Sequence, residues 1–399
     1  MASALRTVDE HRKVVAGLLT AMPAEEVPLA AARGRVLAAD VVAAVALPGF
    51  DNSAMDGYAV RAAEVAGAPV ALPVATDIPA GRTDVPPLVP GTVARIKTGA
   101  PVPVGADAIV PVEATDGGTA TVRIDTAADA GAYVRRAGED VHEGDVVLDA
   151  GTVLGPAQIG VAAAVGAATV SVRRRPVVLV LSTGSELVAP GAPLQPGQIY
   201  ESNGPMLAAA VEDAGGLAQL LRFVPDDVGE FLGVLRARLD GVDLVLTSGG
   251  VSAGAYEVVK DGLTGRGVEF VKVAMQPGGP QGAGRLDGVP VVTLPGNPVS
   301  SQVSFEVFVR PALRAAMGHP HPDRPVVTAA LAEPLRSPAG RLQIRRGVLD
   351  AASGSVREIG TPASHRLGAL ARSDCFFVIP SDATELAAGD PVAVWLLDG

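Results

Sequence analysis

Short, continuous apolar runs alternate with segments of helical spacing between Arg173 and about Pro322. PVVLVLSTGSEL reads as a buried strand opening into a glycine-containing loop, SNGPMLAAAVEDAGG as a helix, and LAQLLRFVPDD as a second strand. VGEFLGVLRARLDG then reads as a helix, VDLVLTSGGVSAG as a third strand with its loop, and VPVVTLPGNP as a strand running into the helical SSQVSFEVFVRPAL. Uninterrupted apolar strands separated by helices pair in parallel through right-handed crossovers. Residues 175–321 are therefore expected to form an open α/β sheet.

The pattern is different on either side. Val8, Val15, Leu18, Leu19 and Met22 recur at helical spacing and predict an amphipathic helix over residues 8–22. From Ala46 to about Tyr133 proline and glycine are dense and short β-type runs appear (VARIK, DAIVPVE, TATVRI), which predicts a β-rich domain inserted at 46–133. GEDVHEGDVVLDAGTVLGPAQIG reads as turns followed by a helix, so 134–174 is expected to rejoin 1–45 as one discontinuous domain. Beyond Pro322 the alternation stops, and PVVTAAL, RLQIRRGVL, SVREIG, CFFVIP and PVAVWLL predict an all-β domain over 322–399. The fold class is thus α/β plus β, in several domains.

Composition narrows the function. Gly 47 and Pro 33 make up about a fifth of the 399 residues while 48% are hydrophobic, which excludes a long coiled coil and argues against bulk disorder. A net charge of −11 with no long basic run gives nucleic acid or an anionic membrane no electrostatic footprint. Thr152 to Val172 lacks charge but is rich in Ala and Gly and contains Pro156, so it reads as a short buried helix running into a strand rather than a span. The single cysteine, Cys375, leaves no disulfide framework and fits a reducing cytoplasm, and the charged start MASALRTVDEHRK carries no export signal.

In an open parallel sheet, ligands bind where loops leave the carboxyl ends of the strands. Four such loops carry groups suited to an anion. Ser182, Thr183, Gly184, Ser185 and Glu186 offer hydroxyls, backbone N–H groups and a carboxylate; the second loop ends in Asp226 and Asp227. Ser248, Gly249, Gly250 and Ser252 let the backbone approach a phosphate, and Pro295, Asn297 and Pro298 stiffen the fourth loop. Carboxylates at Glu186, Asp226, Asp227 and Glu257 would repel a bare phosphate, and are accounted for if Mg²⁺ bridges them to it. In the inserted domain, DNSAMDGYA and RIKTGAP read either as a shaped site or as turns built on Asp, Asn and Ser. His319 and His321 in GHPHP fit a proline-rich linker, and His365 beside Ser364 lies in no nucleophile elbow.

LPGFDNSAMDGYAV, RIKTGAPVPVGADAIV, LSTGSELV, TSGGVSAG and LPGNPVSSQVSFEVFVRP, in this order and spacing, resemble the molybdopterin molybdenumtransferases, the family of bacterial MoeA and the gephyrin E domain. The resemblance runs from about residue 8 to the C-terminus. It implies an elongated four-domain subunit with a molybdopterin-binding α/β domain and a barrel-like C-terminal domain. It implies a homodimer whose active site joins the α/β domain of one subunit to the inserted domain of the other. The implied reaction inserts molybdate into adenylylated molybdopterin with release of AMP, dependent on Mg²⁺. Molybdopterin adenylyltransferase and molybdoenzyme maturation proteins are the partners it suggests. By position, Asp56 and Thr98 match active-site residues of the inserted domain, Glu186, Asp226 and Lys272 match in the α/β domain, and Glu257 stands where the family commonly has Asp. Pro295 and Pro298 match loop prolines, and Ser364 matches a serine of the C-terminal domain.

One departure stands out. Where family members often read KPGKP this chain has Gln276-Pro277-Gly278-Gly279-Pro280, so two cations are missing and Arg285 is the nearest downstream substitute. The alternative this raises is a paralogue that binds molybdopterin as a scaffold. An adenylyltransferase would share the α/β domain alone, and a kinase would need a Walker-type GxxxxGK[ST], which is absent.

Overall fold

The computed structural model describes residues 5–224, 227–249 and 258–397. The chain divides into two compact units, Glu26–Val172 and the combination of Met1–Glu25 with Arg173–Gly399.

In the unit over Glu26–Val172, five strands form one sheet: β1 (Gly57–Val60), β2 (Val70–Ile78), β3 (Val93–Ile96), β4 (Ala108–Pro111) and β5 (Thr121–Ile124), in the order β4-β1-β3-β2-β5. Strand β1 is buried throughout because it is paired on both sides, with β3 and β4. Its first residue must be glycine, since a Cβ at Gly57 would lie 2.0 Å from the Val110 carbonyl oxygen. β2 escaped the sequence reading, its alternation being one of half-buried and exposed positions with Pro73 inside. A second core in this unit gathers Leu37, Leu154, Ala162 and Val172. Pairing of Val41–Val42 with Val146–Leu148 and bridges from Val36 to Val153 and Leu37 to Val172 bring its two chain segments together.

The other unit begins with helix α1 (Val8–Ala16), capped by a reciprocal pair: Thr7 Oγ1 accepts from Glu10 N–H and the Thr7 N–H donates to Glu10. The expected helix to Met22 stops at Gly17, where helix propensity is about 1 kcal/mol below alanine. Leu18, Leu19 and Met22 still pack inward after the helix has ended.

The α/β sheet consists of β6 (Val177–Thr183), β7 (Leu217–Val224), β8 (Leu244–Ser248), β9 (Val268–Lys272), β10 (Pro280–Leu286) and β11 (Val289–Leu294), in the order β7-β6-β8-β11-β10-β9. The first four are parallel, as expected, but β10 and β9 add an antiparallel edge. This hairpin was hidden by composition. Cβ atoms at Gly282 and Gly284 would fall 2.2 Å from Thr293 Oγ1 and 2.0 Å from the Gly267 carbonyl, so the strand needs glycines where a pattern would show side chains. Side chains of β6 alternate between two cores. Val178 and Val180 face one with Leu207, Phe305 and Phe308, while Leu179 and Leu181 face the other with Phe231 and Leu235. The helix opened by Pro298 runs on to Ala316 through a π-type turn at Phe305–Val309. Pro311 has no N–H to give to Val307, which accounts for the widened turn.

Five C-terminal strands, β12 (Val326–Leu331), β13 (Leu342–Asp350), β14 (Ser355–Glu358), β15 (Cys375–Ile379) and β16 (Pro391–Leu396), pair in the order β13-β14-β12-β16-β15, and β15 returns to β13 to close a small barrel. Residues Met275–Gln276 pair alongside β13 at Leu342 and Gln343, so the loop between β9 and β10 is fixed against the barrel. Cys375 is buried in the barrel core and burial pushes its thiol up to about 12, which makes it inert. Among the described residues no helix is long and apolar enough to cross a membrane.

Candidate active site

The register of the parallel strands sets the first layer of the site. Ser182, Ser248 and Leu294 stand side by side at the carboxyl edge, with Thr247 and Thr293 one position behind on β8 and β11. The hydroxyls of Ser182, Thr247 and Thr293 are buried and have no hydrogen-bond partner among the described residues. Buried polar atoms are normally paired, so unpartnered ones at a strand edge mark a place where a ligand can complete them.

Glycine lets the loops converge above that edge. Gly249 takes φ +95° and lies where a Cβ would be 3.1 Å from the Thr183 carbonyl, and a Cβ on Gly296 would be 3.3 Å from Gly249. Asn203, at the start of α3 (Asn203–Asp213), ties two of these loops together: its Nδ2 donates to Ser248 Oγ at 2.8 Å and to the Gly296 carbonyl at 2.6 Å. Ser301 Oγ donates to Ser248 Oγ at 3.2 Å. The sequence reading missed both residues. Asn203 sits in SNGP, where Asn before Gly was a visible signal for a helix start placed near a loop cluster.

Glu186 is exposed on its loop. Gly184, at φ +151°, packs against the Glu186 carboxylate. Asp227 caps helix α4 (Val228–Arg236), accepting from the Glu230 N–H at 2.9 Å. Asp226, Gly250, Ser252 and Glu257 lie outside the described residues. Among the described residues no group of three or more His, Cys, Asp or Glu is arranged to hold a metal.

Next to this edge is a cavity of about 360 Å³, lined among others by Gln276, Pro277, Pro295, Asn297, Ser300 and Ser364. It unites the fourth loop, the loop after β9 and the C-terminal barrel, and the Val299 N–H donates to the Ser364 carbonyl at 3.2 Å. Pro298 opens the helix whose N-cap is Asn297. Lys272 closes β9 at the same end of the sheet, exposed and opposite Pro280, but does not line the cavity. The expectation for Arg285 is corrected. It lies five residues along β10, about 17 Å from Pro280, and its guanidinium donates to the carbonyls of Gly288 and Leu18. The length of the strand carries it away from the cavity.

In the unit over Glu26–Val172, Asp56 immediately precedes β1. Its carboxylate accepts from Lys97 Nζ at 2.8 Å, from the Thr98 N–H at 2.8 Å and from the Thr98 hydroxyl at 2.9 Å. Those bonds, the one from Lys97 foremost, hold the Asp56 carboxyl down to about 2. Gly99 at φ +77° closes the turn, and its N–H donates to the Ser53 carbonyl at 2.8 Å. The segment contains a turn built on Ser53, whose Oγ donates to the Met55 carbonyl and accepts from the Met55 N–H, and beside it three donors converge on the Asp56 carboxylate. The ion pair of Lys97 with Asp56 adds a partner that the loop's sequence alone does not disclose.

The arrangement defines a multidomain α/β protein with unpartnered polar groups at its strand ends, a cavity shared with a small barrel and a carboxylate clamped by donors in a second unit. Three sequence-family models cover most of it: MoeA N-terminal region (domain I and II) over residues 6–166, probable molybdopterin binding domain over 179–315, and MoeA C-terminal region (domain IV) over 328–397. The chain is 56% identical to molybdopterin molybdenumtransferase 2 of Mycobacterium tuberculosis, across 98% of this chain and 99% of that one. It is 35% identical to molybdopterin molybdenumtransferase of Haemophilus influenzae, across 97% and 98%. A crystal structure of the molybdopterin biosynthesis protein MoeA from Pyrococcus horikoshii superposes with a TM-score of 0.82 at 30% identity, across 98% of this chain and 100% of that one. The chain belongs to the molybdopterin molybdenumtransferase (MoeA) family.

Proposed function

We propose that this protein is a molybdopterin molybdenumtransferase: it takes adenylylated molybdopterin and molybdate, inserts the molybdenum into the dithiolene and releases AMP, in molybdenum cofactor biosynthesis. The observation that carries this reading is the match of all three regions of the chain to that family, with the cavity and the unpartnered strand-end hydroxyls lying in and beside the molybdopterin-binding region. Cleaving a phosphoanhydride requires groups that bind and orient a phosphate. Here they are the Ser182 to Gly184 loop, the Ser248 and Gly249 edge and the Pro295 to Pro298 loop, with Ser364 closing the cavity.

Carboxylate oxygens suit a hard divalent cation, and the Glu186 carboxylate is exposed on its loop. Glu186, together with Asp226 and Asp227, would hold Mg²⁺, which neutralises phosphate charge when bound. Asp56 and Thr98, and on the other unit Lys272 and Glu257, complete the proposed set of functional residues. The remaining parts of the reading are a homodimer in the cytoplasm that receives its substrate from a molybdopterin adenylyltransferase and passes product to molybdoenzyme maturation proteins.

Purified protein incubated with adenylylated molybdopterin, molybdate and Mg²⁺ should release AMP and form molybdenum cofactor. Asp56→Ala should lower that rate at least about a hundredfold in protein that stays folded, because the three hydrogen bonds it removes end on a half-exposed carboxylate. Absence of AMP release from the wild-type protein would overturn the reading; full activity in Asp56→Ala would remove Asp56 from the site.

A further inference from the structure

We propose that Arg345, Gln343 and Gln276 form a relay of side-chain hydrogen bonds that turns the amide N–H of Gln276, rather than its carbonyl oxygen, into the cavity as a neutral donor to a tetrahedral oxyanion. Polarity along the relay is set at its barrel end. A guanidinium can only donate, and Arg345 Nε donates to Gln343 Oε1 at 2.8 Å. Arg345 is itself held by Glu358 Oε1 at 2.7 Å and by the Arg336 carbonyl at 2.8 Å. With its oxygen committed, Gln343 must present its NH₂ on the other side, where Nε2 donates to Gln276 Oε1 at 2.9 Å. Gln276 therefore has its oxygen occupied, and its own NH₂ makes no hydrogen bond among the described residues while the residue lines the cavity.

Burial makes the choice stiff. Gln343 is 1% and Arg345 6% exposed, so a reversed amide would set two oxygens or two NH₂ groups against each other with no water to relieve them. The backbone reinforces it, since Gln276 and Gln343 are partners in the parallel pairing of Met275–Gln276 with β13. The relay also explains how a loop with Gln276 and Gly279 at its two cation positions keeps a directed donor. An amide attracts an oxyanion through one oriented hydrogen bond instead of a point charge, so affinity should depend less on salt. Gln276 is the contacting group; Gln343 and Arg345 are positioning residues.

The proposal rests on the molybdate-handling function proposed above, but its readout is oxyanion affinity, measured by calorimetry with molybdate at pH 8. Gln276→Leu should weaken binding about tenfold, the loss of one hydrogen bond of about 1.4 kcal/mol. Gln343→Glu keeps an acceptor for Arg345 but cannot donate to Gln276, so the Gln276 amide turns its oxygen to the cavity and affinity falls by a similar factor. The double variant should lose no more than either single one. Gln276→Lys should recover affinity and make it more sensitive to salt. Melting temperatures of all variants separate a folding defect from this effect. Wild-type affinity in folded Gln276→Leu or Gln343→Glu, additive losses in the double variant, or no molybdate binding by the wild-type protein would overturn the relay. A wild-type protein that binds molybdate with this mutational pattern yet releases no AMP would overturn the enzymatic reading and leave the relay standing.

Discussion

Two sets of buried polar groups in the α/β unit are treated in opposite ways. At the carboxyl edge, the Ser182, Thr247 and Thr293 hydroxyls and Asn203 Oδ1 are buried without partners among the described residues. Around the helix opened by Pro298, Glu306 is 1% exposed in its side chain yet closely paired: Arg324 Nε donates to it at 2.9 Å and Gln302 Nε2 at 3.1 Å. Arg310 and Arg324 both reach Asp213, at 2.8 and 2.9 Å. Removing partners from groups that have them is costly, whereas removing a group that has none is cheap. The charge cluster therefore reads as structure, and the strand edge as a place prepared for something that arrives later.

Glu306→Ala should produce the largest loss, about 3–5 kcal/mol in denaturant unfolding, because two guanidiniums buried at 3% and 7% side-chain exposure lose the buried one of the two carboxylates they share and keep only the exposed Asp213. Burial already pulls the Arg310 guanidinium below its usual range, so its charge has little solvent to fall back on. A loss under about 1 kcal/mol would mean that the cluster behaves as a surface ion pair and would dissolve the contrast with the strand edge.

His11 is the intermediate case: a buried imidazole whose two nitrogens lack partners among the described residues, edge-on to Phe308 at a centroid distance of 4.7 Å. It is polar and unpaired like the edge, but it faces a core. Burial drives it from 6.5 down to about 4, with Arg6 adding to the effect and Glu269 opposing it. Above pH 6.5 both folded and unfolded states are neutral and nothing depends on it. As pH falls from 6.5 towards 4 the unfolded chain takes up the proton first, so stability declines, by up to about 3 kcal/mol at the lower end. His319 titrates in the same direction, again through burial. The difference between wild type and His11→Leu across pH 7.5 to 4.5 isolates the His11 share. A difference independent of pH would show that the imidazole is solvated.

The contrast between paired and unpaired groups also marks what the sequence could disclose. Strand-helix alternation was legible in β6, β8 and β11 because each buries a nearly unbroken apolar run, and in β7 from its place between two helical segments. The β10 and β9 hairpin was not, because Gly282 and Gly284 serve close backbone approach and leave no side-chain pattern. At the site, Asp56, Thr98, Pro295 and Ser364 could be named from their strings, and the structure brings Asp56 to Thr98 and Ser364 to Pro295. Spacing along the chain carries no information on long-range partners, so Asn203 bridging Ser248 to Gly296, and Gln343 meeting Gln276 from 67 residues away, were invisible. Arg285 failed for the related reason that proximity in sequence along a strand is distance in space.

The smallest expected effect on stability is the most discriminating for the strand edge. Ser182 is 6% exposed and its hydroxyl has no partner among the described residues, so the folded protein already bears the cost of desolvating it, about 1–3 kcal/mol. Ser182→Ala deletes the group that carries this cost and leaves at most a cavity smaller than a water. Its unfolding free energy should match wild type within about 0.5 kcal/mol or exceed it. If the proposed function holds, AMP should raise the melting temperature of the wild-type protein, and the same variant should show a smaller rise, since a ligand stabilises only through the contacts it makes with the folded state. Destabilisation beyond about 1 kcal/mol would show that Ser182 is paired within the protein, and the edge would then be as self-sufficient as the Glu306 cluster. An unchanged AMP response in a variant of native stability would leave the hydroxyl unpaired but take it out of the binding site.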